Sequence, residues 1–256
     1  MTFKTFIILT VCLTLVFCAS PEKKMQRQRE KDPRYQYNLG LFYLNNGRPE
    51  EAIKYFQKSL ALDKSFYLSF NGMGIAYLML RQFEKSAQYF ERTLELNPTL
   101  TEAHNYLGTV FQELGHLERA EQEFRAAIAD MNYKSRDLPY YNLARLYFGQ
   151  NRFADALYYV QKSLEINPRL VMAINLKGVI YERLEDYGAA IESYKQGLKI
   201  TEEDVDLKFN LGVAYFKNNQ FEEAKEVFNK IYTLADLNMK RQIDGYMKII
   251  NKQKQN

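Results

Sequence analysis

Tryptophan is absent from the 256 residues, and cysteine and histidine occur twice each. Both cysteines, Cys12 and Cys18, fall at the start of the chain, so the remainder folds without a disulfide and without a thiolate-bound metal. His104 and His116 sit in separate segments with no HExxH context, which leaves them packing or surface roles. With no Ser-His-Asp arrangement that the spacing supports, no catalytic constellation emerges, and the expectation is a protein that is not an enzyme and carries no cofactor. Charge of one sign is also lacking: the formal net charge is +4, with lysine and arginine interleaved among acidic residues. There is no basic stripe of the kind that neutralises a phosphate backbone, so nucleic acid is not an expected partner. What is present is 46% hydrophobic and 26% charged residues, the balance of a folded soluble protein rather than of a disordered chain.

The longest apolar run, Phe6 to Phe17, is shorter than the roughly 20 residues a helix needs to span a bilayer, so it reads as an export signal. Leu15-Val16-Phe17-Cys18 resembles the lipobox of bacterial lipoproteins, with Phe17 where that family has Gly, Ala or Ser. The resemblance implies residues 1–18 as a lipoprotein-type signal, lipidation of Cys18 and, with Ala19 following, a bacterial envelope location on the periplasmic side of the outer membrane. The alternatives are an uncleaved anchor or a cytosolic protein with an apolar start. Residues 19–32 are charged and lack apolar periodicity, as a tether would.

Sliding the sequence against itself brings a small residue into register six times, at Gly40, Gly74, Gly108, Ala144, Gly178 and Gly212, with spacings of 34, 34, 36, 34 and 34. Three residues after each comes a ring (Tyr43, Tyr77, Phe111, Tyr147, Tyr181, Tyr215). Twelve after comes another small residue (Ala52, Ser86, Ala120, Ala156, Ala190, Ala224), and sixteen after a bulky apolar one (Phe56, Phe90, Phe124, Val160, Tyr194, Phe228). The pattern resembles the tetratricopeptide repeat, in which two antiparallel helices approach closely at the small residues while the larger ones fill the space beside them. The implied fold is all-α: a superhelical solenoid of six helix-turn-helix repeats (33–66, 67–100, 101–134, 137–170, 171–204, 205–238), followed by a C-terminal capping helix and tail over 239–256. Within 72–74, Gly-Met-Gly has no preceding strand and no third glycine, so it is a packing feature and not a phosphate loop.

In such solenoids the first helix of each pair lines the concave side, where side chains at i, i+3, i+7 and i+10 share a face. The candidate peptide-binding positions are Tyr37, Leu41, Leu44, Asn71, Ile75, Leu78, Asn105, Thr109, Tyr141 and Arg145. Leu41, Ile75 and Thr109 stand where carboxylate-clamping members of the family carry Asn and Lys, so a helix or extended apolar segment is the expected ligand. A narrower resemblance is to the type IV pilus pilotins, lipoproteins with six such repeats that assist secretin assembly. It rests on the leader ending at Cys18, on His104-Asn105-Tyr106 ahead of Gly108, and on the lengthened junction Tyr133…Pro139…Asn142. It implies a secretin as partner and a membrane association through the N-terminal lipid. A general envelope adaptor that recruits peptidoglycan hydrolases is the alternative.

Overall fold

The structure is a computed structural model and describes residues 21–130 and 133–253. The leader, with Cys18, lies outside the described residues. Fourteen helices are described: α1 (Pro21–Glu30), α2 (Pro33–Asn45), α3 (Pro49–Leu62), α4 (Tyr67–Met79), α5 (Phe83–Leu96), α6 (Thr101–Glu113), α7 (Leu117–Ala129), α8 (Asp137–Gly149), α9 (Phe153–Ile166), α10 (Val171–Arg183), α11 (Tyr187–Leu198), α12 (Val205–Lys217), α13 (Phe221–Ile231) and α14 (Leu237–Gln253). No strand occurs among the described residues. The chain divides into two compact units, the first ending at Gly115 and the second beginning at His116.

Local chemistry starts and stops these helices in a repeating way. Pro33 and Pro49 occupy first-turn positions, where the missing N–H costs nothing, and the Asp32 carboxylate accepts from Arg34 N at 2.8 Å. The turn inside each helix pair carries one residue with left-handed backbone: Gly47, Arg81, Gly115, Asn151, Glu185 and Asn219, with φ between 56° and 77°. Around it the same pair of bonds recurs, as in Arg81 N to Leu78 O and Gln82 N to Tyr77 O, both 2.9 Å. These bonds satisfy carbonyls that the helix end would otherwise leave open. Between pairs, Asp63, Asn97 and Asn167 each accept from the backbone N–H two residues on, at 2.9, 3.3 and 3.2 Å, and so turn the chain into the next helix.

Packing follows the sequence register closely. A Cβ added at Gly40 would lie 2.4 Å from the Phe56 ring, and one at Gly74 would lie 2.7 Å from Phe90. A Cβ added at Gly178 or Gly212 would likewise lie 2.5 Å from Tyr194 or 2.6 Å from Phe228. A Cβ added at Gly72 would also lie 2.5 Å from the Phe56 ring, so that ring packs against glycines on both α2 and α4. Ala144 and Val160, both fully buried, replace the glycine and ring in the fourth register: a methyl added on one helix is matched by a smaller side chain on the other. Gly108, Ala52, Ala120, Ala156, Ala190 and Ala224 are also buried.

Two segments differ from expectation. Residues 21–30 of the expected tether form the helix α1, although residues 25–32 are exposed throughout. Lys, Arg, Gln, Glu and Met all favour helix without any burial, which is why a segment lacking apolar periodicity still winds up. The capping segment begins at Leu237, inside the expected sixth repeat, because Asp236 accepts from Met239 N at 2.8 Å and so opens the helix there. Ile243 and Ile250 of α14 are buried against α13, and Tyr246 stacks on Phe228 at 5.4 Å.

Candidate protein-binding face

In the first unit the leading helices α2, α4 and α6 are successive neighbours, and in the second α8, α10 and α12 are. That adjacency comes from stacking the helix pairs with the same hand, and it aligns the same turn of each leading helix.

On α2, Tyr37 is half-buried, with its ring 5.8 Å from Phe56 and edge-on to Phe66 at 5.6 Å. Its hydroxyl is pushed above the ordinary tyrosine range by burial first, then by the carboxylate of Glu102 and by Tyr67. Glu102 lies on α6, the third leading helix of this unit. Leu41, Ile75 and Leu78 are half-buried. Leu44 is a correction: at 7% exposure it belongs to the core with Ala52, Phe56, Met73 and Ala76, and it offers a ligand almost no surface. It lies one helical turn beyond Leu41, where α2 has already turned its side chains onto α3 and α4.

The polar middle of the face is more closed than its sequence implies. Asn71 is 5% exposed and its Oδ1 has no hydrogen-bond partner among the described residues. Asn105 is buried, and the Thr109 hydroxyl donates to the Asn105 carbonyl at 3.1 Å. In the second unit Arg145 is exposed and its guanidinium lies 5.9 Å from the centre of the half-buried Tyr141 ring.

Sequence reasoning missed a network further along this second unit. Glu182 accepts from the Tyr194 hydroxyl at 2.6 Å and pairs with Lys217 at 2.8 Å, while Asn210 Nδ2 donates to Asn175 Oδ1 at 2.9 Å. Burial, with the Glu182 carboxylate behind it, raises the Tyr194 pKa strongly. The signal was present as Asn175 and Glu182 on the leading-helix face, but their partners stand on other helices. Among the described residues no group of three His, Cys, Asp or Glu side chains could hold a metal, and no helix is long and apolar enough to cross a membrane.

Models of the tetratricopeptide repeat match residues 33–99, 71–134, 138–170 and 205–236, and a TPR repeat model matches 178–219. The chain is a tetratricopeptide-repeat protein. Its helix pairs have the fold that the 34-residue register implied, and tetratricopeptide repeats are scaffolds for protein–protein interaction.

Among solved structures this repeat protein is similar to pilF of Pseudomonas aeruginosa, with a TM-score of 0.74 at 18% identity over 84% of this chain and 97% of that one. It is also similar to PilW, described as a widely conserved type IV pilus biogenesis factor, with a TM-score of 0.77 at 17% identity over 82% of this chain and 98% of that one. At such identities the likeness is one of fold alone. A protein SGT1 homolog from Bos taurus is 35% identical over 75 residues, 29% of this chain. The match spans about a fifth of that curated relative, 22% of its length.

Proposed function

We propose that the leading-helix face of the first unit holds a segment of another protein, and that the protein thereby assists type IV pilus biogenesis by helping a secretin assemble at the outer membrane. The observation that carries the binding role is Asn71. A buried acceptor without a donor costs roughly 1–3 kcal/mol, and Asn71 lies one turn before Ile75 on α4, whose neighbour α2 carries Leu41. Apolar side chains of a segment laid along the face would cover Leu41 and Ile75, and a peptide N–H of the same segment would satisfy Asn71 Oδ1 once the buried amide swings outward. The pilus role is supported by the likeness to PilW over most of both chains and by the lipobox-like leader ending at Cys18. On this reading Cys18 carries the lipid that holds the protein to the membrane.

The test titrates the full-length protein in detergent with a labelled periplasmic fragment of a secretin. A Tyr37/Leu41/Asn71/Ile75 quadruple alanine variant should bind at least about tenfold more weakly, a loss of about 1.4 kcal/mol. Asn71→Leu should weaken binding while leaving the protein as stable or more so, since it removes the unsatisfied oxygen. Equal binding by wild type and both variants refutes the mapping. Affinity capture from membranes that yields peptidoglycan hydrolases and no secretin would transfer the scaffold to the envelope-adaptor reading. Metabolic labelling with palmitate, lost in Cys18→Ser, checks the anchor.

A further inference from the structure

Charge is balanced helix by helix through the repeats. The trailing helices α3, α5, α7, α9, α11 and α13 each carry a net charge of 0 or −1, counted from their sequences. Many of their surface cations are taken up locally, as in Arg48 with Glu51, Arg92 with Glu95, Arg152 with Asp155 and Lys230 with Glu226, all within 2.8 Å. The last helix, α14, breaks this pattern. Lys240, Arg241, Lys248 and Lys252 stand against Asp244 alone, four positive charges less one negative for a net +3, and the helix contains no glutamate. Among the described residues no carboxylate pairs with Arg241, Lys248 or Lys252.

The spacing puts these charges on one side of the helix. From Leu237, the residues Arg241, Asp244, Lys248 and Lys252 follow at offsets of 4, 7, 11 and 15, so the five form a stripe, and each of them is exposed. The opposite side, with Ile243, Tyr246 and Ile250, is the one packed on α13. Asp244 is the one carboxylate of the stripe, and the Tyr232 hydroxyl donates to it, which raises the Tyr232 pKa. The other nearby acids are turned to different work. Asp236 caps α14, accepting from Met239 N at 2.8 Å, while Glu222 and Glu223 lie by Ile250 and Gln253 on the α13 side. Lys240 lies off the stripe, 5.9 Å from the centre of the Tyr232 ring. At the head of the stripe Leu237 is 76% exposed, and Leu234 in the preceding turn 61%, the two most exposed large apolar side chains among the described residues.

We propose that this stripe is a contact for an anionic lipid surface, with Arg241, Lys248 and Lys252 meeting phosphate headgroups and Leu234 and Leu237 entering the interface beside them. Two features select this occupant. The stripe is the outward ridge of a helix whose other side is packed, so it gives a protein segment no walls to lie between. A planar surface, by contrast, can meet all three cations at once, since they span about 16 Å at the rise of an α-helix. The second feature is the pair of leucines. Unpaired cations next to exposed apolar side chains join the two attractions that hold a helix to a membrane surface, whereas a nucleic acid would leave the leucines in water. Each cation near such a surface contributes roughly fivefold in affinity. The contact stays superficial, because no described helix is long and apolar enough to cross a membrane, and it does not depend on a lipid at Cys18.

The chain lacks tryptophan, so Leu237→Trp supplies a lone indole reporter at the head of the stripe. The full-length variant is reconstituted from detergent into vesicles of phosphatidylcholine alone or mixed with phosphatidylglycerol, each also made with brominated phosphatidylcholine as quencher. Emission should shift to the blue and be quenched in the mixed vesicles. Both changes should be lost in phosphatidylcholine alone, at high salt, and when Arg241→Gln, Lys248→Gln and Lys252→Gln are added together. Circular dichroism checks that this charge variant keeps its helix, and Lys248→Glu replaces it if it does not. Equal emission in the two kinds of vesicle, or quenching kept in the charge variant, overturns the inference. So does a blue shift without vesicles that grows with protein concentration, since a second copy would then cover the stripe. A shift produced by soluble polyglutamate and not by vesicles would assign the stripe to an acidic protein and overturn the lipid contact. The reporter reads α14 itself, so a leader that holds the protein on either vesicle does not mimic the result, and every outcome leaves secretin binding by the first unit as it stands.

Discussion

The fourth register of the repeat states a rule that can be transplanted. There a buried Ala144 faces a buried Val160, while the second register pairs Gly74 with Phe90. In Gly74→Ala the new Cβ would stand 2.7, 2.8 and 2.9 Å from three atoms of the Phe90 ring. That ring is fully buried and stacks at 5.6 Å on Tyr106 from the next helix pair, so it has nowhere to withdraw. Overpacking of this kind costs about 1–3 kcal/mol, and the better helix propensity of alanine returns up to about 1. A net loss near 1 kcal/mol is therefore expected. Phe90→Val alone opens a cavity and should cost about 2–3 kcal/mol, below the range for full truncation to alanine. In the double variant the methyl enters the space the ring has left. The double loss should fall short of the sum of the singles by at least about 1 kcal/mol, a favourable coupling of the size that contacting residues show. Equilibrium urea unfolding of the four proteins, followed by far-ultraviolet circular dichroism, measures the cycle. Additivity to within about 0.5 kcal/mol would show that glycine at these positions serves something other than close approach of the facing ring.

Three further expectations follow from features already described. Arg81 and Glu185 hold φ of 56° and 60° without being glycine, so Arg81→Gly and Glu185→Gly should each stabilise by a net of roughly 0.5–1 kcal/mol after the larger unfolded-state entropy of glycine is deducted; thermal melts with Tm unchanged or lowered would contradict this. Because burial raises the Tyr194 pKa well above 10.0, the contribution of this residue is complete below the unfolded-state value near 10 and is lost as pH rises toward the folded one. Tyr194→Phe should therefore flatten the alkaline fall in stability, and tyrosinate absorbance during the titration checks it. Ile243→Ala should cost about 2–5 kcal/mol locally, and hydrogen exchange should show it first as lost protection in α13 and α14 rather than in the first unit.

Much of this architecture could be read from spacing alone, because the small residues, the rings and the helix boundaries recur with one period. Gly40 against Phe56 and Gly212 against Phe228 are meetings that the sixteen-residue offset announced. The left-handed turns were only half visible. Gly47 and Gly115 advertise themselves, whereas Arg81 and Glu185 occupy the same backbone state with side chains that carry no such signal. The backbone bonds of the turn impose that state, and local preference is overridden.

The candidate binding face was legible as positions and not as environments. Leu44 and Leu41 look alike in sequence, but only the structure separates a core side chain from a half-open one. The unfilled acceptors of Asn71 and Gln36 cannot be read from composition, since they depend on what three neighbouring helices fail to supply.

The placement of Tyr246 over Phe228 has a consequence for how many molecules can join. Repeats with matching front and back surfaces polymerise without limit, each newcomer re-creating the end it covered. Here the back carries a lid of its own sequence, which withdraws that surface from end-to-end stacking of repeats.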